Sequence, residues 1–257
     1  MNTTKIIDTT SAAAANLIPA FTGLTGNPMI AAAGAIVAPI IQNQISEVSN
    51  WILGVLQRKK IITSANITCE TIVEKLEHGY RLRNDDFFKV NHNPILDEKE
   101  SSASKLLEGS LLKTKEEYDS KKIPFISFFT ANIFFAPNIS ANKAFVMLEV
   151  LSKLTYRQLC ALRIFSKRNV MPIGRWEIGI KNTPALQNHY DIAYEFLSLK
   201  DSLLIEQDIP GQGIGISDYR VSAFGRELVI TANLNSIPQE DLSQLEYQVN
   251  HITSYMT

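Results

Sequence analysis

The chain is poor in the residues that carry most protein chemistry. Its two cysteines, Cys69 and Cys160, lie far apart and lack CxxC spacing. That excludes a zinc knuckle, a dithiol redox motif and a disulfide scaffold, and it points to a reducing cytosol. An excess of one charge is missing too. Lys and Arg number 25 against 26 Asp and Glu, a net charge of -1, so nothing draws the whole chain toward nucleic acid or anionic lipid and any such attraction must be local. The sharpest absence is regional, because no charged residue stands between Asp8 and Glu47. What fills that gap is Ala, Ile, Gly and Pro rather than Leu and Phe.

A secretory signal is not expected there, since Asp8 cancels Lys5 and the apolar stretch runs past any normal cleavage site. One straight membrane span is not expected either. Residues 17–41 have the necessary length of about 20 apolar residues, yet Gly26-Asn27-Pro28 sits in the middle as a turn former. The run therefore reads as a helical hairpin with arms near Thr10–Leu24 and Pro28–Ser46, interrupted by Pro19 and Pro39. In the second arm Ala31, Gly34, Ala35 and Ala38 fall at small-xxx-small spacings, which let helix backbones approach closely. Val48, Trp51, Ile52, Val55 and Leu56 follow at helical spacing and end on Arg58, Lys59 and Lys60. A tryptophan beside a basic cluster is how an interfacial membrane anchor is built. It is also how a core helix ends, with cations at the negative end of its dipole. Both readings stay open: a buried or oligomeric contact, or a membrane contact.

Residues 61–139 read as amphipathic helices around one loop. Ile67, Ile72, Val73 and Leu76 form a stripe stopped by His78-Gly79. Leu82 to Asp97 reads as a loop with Phe87 and Phe88 tucked onto the core. Asp85, Asp86 and His92 resemble metal ligands only superficially, because the adjacent carboxylates diverge and no second histidine follows at helical spacing. A helix through Leu106, Leu107, Leu111 and Tyr118 carries a solvated face of Lys105, Glu108, Lys113, Lys115, Glu116 and Glu117. The glutamates have no paired His, Cys or Ser to make them acid-base groups. Ile123 to Phe135 is the densest aromatic cluster, expected at the centre of the first core.

The second half has the order of a winged helix. A helix covers about Ser140 to Lys153, and Thr155 to Gln158 forms a capping box with Leu154 and Leu159 as its staple. A further helix spans about Gln187 to Lys200. The strands Leu203 to Gln207 and Tyr219 to Ser222 flank a Gly-rich turn, and Val221 to Leu228, with Ser222 as helix cap, looks like the closing turn of many winged-helix domains. Gly211-Gln212-Gly213-Ile214-Gly215 is a wing tip rather than a nucleotide loop, since a strand and not a helix follows it. The helix that would enter a DNA groove carries Asp191 and Glu195, so nucleic acid is not the expected partner. Arg157, Arg163, Lys167 and Arg168 are the residues that would make a phosphate-binding patch. At the end, Leu242, Leu245, Val249 and Ile252 form a seam for a partner protomer or for the chain's own body.

The expected fold is mainly α: an N-terminal apolar helical hairpin with an amphipathic helix (1–60), a helical domain (61–139), a winged-helix-like α+β domain (140–235) and a C-terminal helix (236–257). The stretch Pro39 to Lys60, Leu107-Glu108-Gly109 ahead of the Ile123 to Phe135 cluster, and Leu154-Thr155-Tyr156-Arg157-Gln158-Leu159 together resemble the bacterial abortive-infection alpha family. That resemblance implies defence against phage through toxicity or growth arrest, and it brings no catalytic motif. The expected protein is therefore a non-enzymatic defence effector in the bacterial cytosol, peripheral to the inner membrane where its hairpin engages it. It self-associates or binds a protein partner, with no cofactor, metal or small-molecule substrate. Ala31, Gly34, Ala35, Ala38, Trp51, Arg58, Lys59 and Lys60 are the expected contact residues. The alternatives are a winged-helix DNA-binding regulator and a structural oligomeric adaptor.

Overall fold

Helices account for most of the structure. A computed structural model of the chain describes residues 28–49, 54–93, 98–168, 171, 173, 182, 189–208 and 218–254. Among these lie nine α-helices and two small antiparallel sheets, so the protein is mainly α. The chain divides into two compact units, Met1–Ser152 and Lys153–Thr257, and the helix that follows residue 139 falls in the first.

Helix α1 spans Pro28–Ser49; the first arm of the expected hairpin, and Trp51, lie outside the described residues. Pro39 does not break α1, contrary to expectation. Its ring sits on the exposed side of the helix, while Ala33, Val37, Ile41 and Ile45, each four residues on, form a buried stripe. An interior proline costs a helix about 3 kcal/mol, and burial of that stripe offsets it. Helix α2 (Val55–Glu77) starts afresh with Gly54 as its N-cap, the Gly54 N–H donating to Gln57 Oε1 at 3.1 Å. The stripe from Val48 to Leu56 is thus not one helix. Arg58, Lys59 and Lys60 open a helix instead of closing one. At its far end α2 stops at His78, followed by Gly79 at φ 82°, a left-handed turn suited to glycine.

The loop after α2 places Phe87 in the core, edge-to-face with Phe88 at 5.4 Å and Phe134 at 5.8 Å. It also holds a short hairpin, β1 (Asn91–Asn93) paired with β2 (Glu98–Glu100). These strands are wholly polar, so no period-two apolar signal announced them. Helix α3 (Ser102–Glu116) is capped by Ser101, whose side chain accepts the Ser104 N–H. It ends before Tyr118, which was expected to continue its apolar stripe and is instead 81% exposed. Helix α4 (Ile123–Ile133) is buried on nearly every side, with Ile126, Phe129 and Ile133 fully enclosed. Helix α5 (Ala141–Lys153) buries Ala144, Met147, Leu148 and Leu151.

Small hydroxyl residues line the contacts of α4 with α2 and α3. Ser64 and Ser127 Oγ atoms are 2.8 Å apart, Thr130 Oγ1 and Ser110 Oγ are 2.8 Å apart, and Thr114 donates to Ser64 Oγ at 3.3 Å. Ser127 and Thr130 also have bonds to the carbonyls of Ile123 and Ile126 one turn back on their own helix. Compact side chains admit close helix approach, and the bonds satisfy groups that would be costly to bury unpaired.

The second unit opens with α6 (Tyr156–Ser166), whose capping box is formed as expected: Thr155 Oγ1 accepts the Gln158 N–H at 3.1 Å and Gln158 Oε1 accepts the Thr155 N–H at 2.9 Å. Helix α7 (Tyr190–Asp201) buries Ile192, Ala193, Phe196 and Leu199. Strand β3 (Ile205–Asp208) pairs antiparallel with β4 (Asp218–Val221), Ile205 opposite Val221, and Met171 bridges to Tyr219 on β4. The expected wing tip, 209–217, lies outside the described residues. Helix α8 (Ala223–Thr231) is capped by Ser222. Helix α9 (Gln239–Ser254) buries Leu242, Leu245, Val249 and Ile252 within its own unit.

Two substitutions test this packing. A Cβ at Gly225 would lie 2.1 Å from the Leu204 carbonyl oxygen, so Gly225→Ala is expected to lower unfolding stability by about 2–4 kcal/mol through overpacking, measured by chemical denaturation. In the first unit Lys122 and Glu117 form an ion pair with side chains only 3% and 5% exposed. Lys122→Met is expected to cost about 3–5 kcal/mol by stranding Glu117, and adding Glu117→Leu is expected to recover most of it.

Candidate functional site

Helix α1, uncharged up to Glu47, presents two unlike sides. Its inward side is the Val37, Ile41 and Ile45 stripe, joined by Gln44, whose Nε2 donates to Ser104 Oγ on α3 at 2.8 Å. Of the four small residues expected at a close-packed seam, Gly34 is buried and Ala38 half-buried, while Ala31 and Ala35 are exposed. The unit buries Val37, Ile41 and Ile45, which remove more apolar area from water than alanines do, and leaves Ala31 and Ala35 outside. The outward side thus carries Ala31, Ala32, Ala35, Ile36 at 46% exposure, and Pro39. Up to Pro39 it is apolar and uncharged; beyond it Gln42, Asn43, Ser46 and Glu47 are exposed.

At the start of α2, Lys59 is exposed and Arg58 and Lys60 are half-buried. Lys60 Nζ donates to the Glu117 carbonyl, fixing this turn against the end of α3. No sequence signal pointed to that bond, since Glu117 was read as part of a solvated face.

A cleft of about 510 Å³ opens beside the Asp86–Phe88 turn, lined by Arg83, Asp85, Asp86, Asn91, Ser102 and Ser140 among others. Its floor is the Arg83 guanidinium, 1% exposed. Arg83 Nε donates to Asp85 Oδ1 at 2.7 Å and Nη2 donates to Oδ2, Nη1 reaches the Ile133 carbonyl at 3.5 Å, and the Phe87 ring lies 4.3 Å away. The hydrogen bond from Arg83 holds the Asp85 carboxyl below its ordinary range. That makes Asp85 a committed anion rather than a proton donor. Asp85, Asp86 and His92 form no metal site, and among the described residues no group of three or more His, Cys, Asp or Glu could hold one.

The cysteines belong to the cores. Burial, and then Glu70, push the Cys69 thiol up to about 12, so the reactive thiolate is scarce at neutral pH. Cys160 is buried as well.

In the second unit the four basic residues of the DNA-binding alternative do not make a shared patch. Arg157 pairs with Asp191 at 2.6 Å and reaches Glu195 at 3.9 Å. Arg163 Nη1 donates to Ser166 Oγ at 3.2 Å, Lys167 pairs with Glu246 at 3.5 Å, and Arg168 donates to Asn250 Oδ1 at 2.6 Å. Three of them thereby brace α7 and α9 against α6. Burial raises the Glu195 carboxyl, with Arg157 opposing the shift, and its Oε2 has no hydrogen-bond partner among the described residues. Tyr156 donates to Asp241 Oδ2 at 2.7 Å; burial, then this bond, push its phenol up, leaving it a structural donor.

Comparison with known proteins returns no matching family, no matching curated protein and no matching solved structure.

The Arg83 pair predicts a pH dependence. The folded Asp85 carboxyl titrates below its unfolded value, so the native state binds fewer protons there. Its stabilisation is complete above the ordinary carboxylate range and lost as pH falls through the folded value. Asp85→Asn is expected to lower stability at pH 7 by about 1–2 kcal/mol, a range reduced for solvent screening of a partly exposed carboxylate. The gap from the unsubstituted chain is expected to shrink in denaturation curves taken at acid pH.

Proposed function

We propose that the chain is a non-enzymatic bacterial defence protein of the abortive-infection type, acting through protein–protein contacts of its amino-terminal apolar segment. The observation that carries this reading is the outward side of α1. From Ala31 to Pro39 its exposed residues are Ala31, Ala32, Ala35, Ile36 and Pro39, and the polar Gln42, Asn43, Ser46 and Glu47 follow only in the last turns, although a helix that only needed solvation would carry charge along its whole outer side. Small side chains suit close approach of a second protein surface. No described helix is long and apolar enough to cross a membrane.

The second unit is read as a winged-helix-like domain. The succession α6, the Met171 bridge, α7, the β3–β4 hairpin and α8 supports that reading. We assign it to protein contact rather than to DNA, because α7 exposes Tyr190 at 50% and Tyr194 at 69% beside Asp191 and Glu195, and Arg157, Lys167 and Arg168 are engaged within the unit. Exposed tyrosines are common protein-contact residues, whereas DNA binding rests on available cations.

Inducible expression of the full chain and of Ile36→Asp in phage-challenged cells tests the reading. The unsubstituted chain is expected to arrest infected cells and restrict phage. Ile36→Asp, at equal abundance, is expected to lose that protection and to weaken self-association or partner binding about tenfold or more. Undiminished protection by Ile36→Asp would remove the α1 surface from the mechanism, and low-salt DNA binding lost on neutralising Arg157, Arg163, Lys167 and Arg168 would favour the regulator.

A further inference from the structure

Two segments far apart in sequence meet at one end of the first unit. Lys60 bonds to Glu117 and Ser64 to Thr114, so α2 and α3 run antiparallel and the first turn of α2 lies beside the end of α3. Val55 is 81% exposed, Leu56 66% and Tyr118 81%, values that make these side chains protrusions rather than edges of a core. Around them the segments 54–60 and 115–122 supply the cations Arg58, Lys59, Lys60, Lys115, Lys121 and Lys122 against the anions Glu116, Glu117 and Asp119. Glu117 and Lys122 neutralise one another in the interior. Outside that pair the two segments carry five cations against two anions, with Lys59 and Lys121 the exposed cations.

Neither feature helps the unit fold. Arg58, in the first turn of its helix, faces the positive dipole end and is disfavoured there, and exposed aliphatic side chains gain nothing from water. Both become favourable against a surface that is anionic outside and apolar just beneath. We propose that this end of the first unit docks on an anionic lipid bilayer, with Val55, Leu56 and Tyr118 entering the boundary between headgroups and acyl chains and Lys59 and Lys121 lying at the phosphates.

A stable protein interface engages roughly 20–30 residues a side, far more than three protruding side chains present, and nucleic acid would need the cations but not Val55 or Leu56. The tip is also separate from the α1 surface, whose Gln44 packs at Ser104 near the opposite end of α3. The proposal rests on the geometry of the tip and not on the defence reading.

Co-sedimentation of the full chain with vesicles of phosphatidylcholine, alone or mixed with phosphatidylglycerol, tests it. Binding is expected to the mixed vesicles only, and to weaken with added salt. Lys59→Gln and Lys121→Gln are each expected to lower partitioning roughly fivefold, and Val55→Ser with Leu56→Ser at least about tenfold. Those positions are exposed, so circular dichroism and the unfolding midpoint should match the unsubstituted chain. Ile36→Asp is expected to leave vesicle binding unchanged, which separates failure at the tip from failure of the α1 contact. No binding to mixed vesicles at low salt, equal binding to both vesicle types, or binding indifferent to the Val55 and Leu56 substitutions would overturn the proposal.

Discussion

The buried pairing of Lys122 with Glu117 sets the geometry of the first unit. Removing two charges from water costs several kcal/mol per ion, and the pair is tolerable only where further hydrogen bonds satisfy both partners. Here they do. Glu117 Oε1 accepts the Asp119 N–H at 3.0 Å, Lys122 Nζ donates to the Ser152 carbonyl at 2.9 Å, and Lys60 reaches the Glu117 carbonyl. One small network thus ties the first turn of α2, the end of α3, the start of α4 and the last turn of α5. An apolar contact of similar size would hold these ends together without fixing their rotation, because only directional bonds to carbonyl oxygens specify register. The hydroxyl contacts of Ser64, Ser110, Ser127 and Thr130 continue the same constraint along the helices.

Local features were legible in the sequence because their physics is local. The Thr155 to Gln158 capping box, the Ser222 cap, the His78-Gly79 stop and the inward stripe of α7 each follow from residues within four positions of one another. The aromatic cluster from Ile123 to Phe135 was legible as core, since so many large apolar side chains have nowhere else to go. What escaped was set by partners far away. Glu117 looked like one more solvated glutamate until α4 supplied Lys122, and Tyr118 fits an apolar stripe only if the helix continues past Glu116. Pro39 looked like a break because the sequence could not show that its ring points outward. Arg83 gave no signal at all, since its role depends on Asp85 and on carbonyls of a helix fifty residues on.

The second unit uses charge differently. Its ion pairs are mostly exposed, with Arg157 and Asp191 side chains 43% and 50% accessible, and pairs of that kind contribute little stability individually. Their effect is positional: Arg157 spans α6 and α7 and also reaches Gln248 on α9 at 3.5 Å. Basic residues that read as a loose patch in one dimension become separate braces in three. That arrangement consumes the donors a phosphate backbone would need, and it leaves tyrosines as the more prominent outward chemistry of α7.

The charge-free run can now be divided by what the fold requires of it. Ala33, Val37, Ile41 and Ile45 are uncharged because they are buried, and no further account of them is needed. Ala31, Ala32, Ala35, Ile36 and Pro39 have no such reason, since a lysine or glutamate at those exposed positions would cost the unit nothing. The tip formed by α2 and the segment after α3 has the opposite character, with Arg58 in the first turn of its helix and Lys59 and Lys60 directly after it. A surface stripped of charge recognises by shape and apolar area, whereas a surface enriched in cations recognises by field. The two unlike surfaces are held apart by α3, with Gln44 against Ser104 near its start and Lys60 against Glu117 at its end.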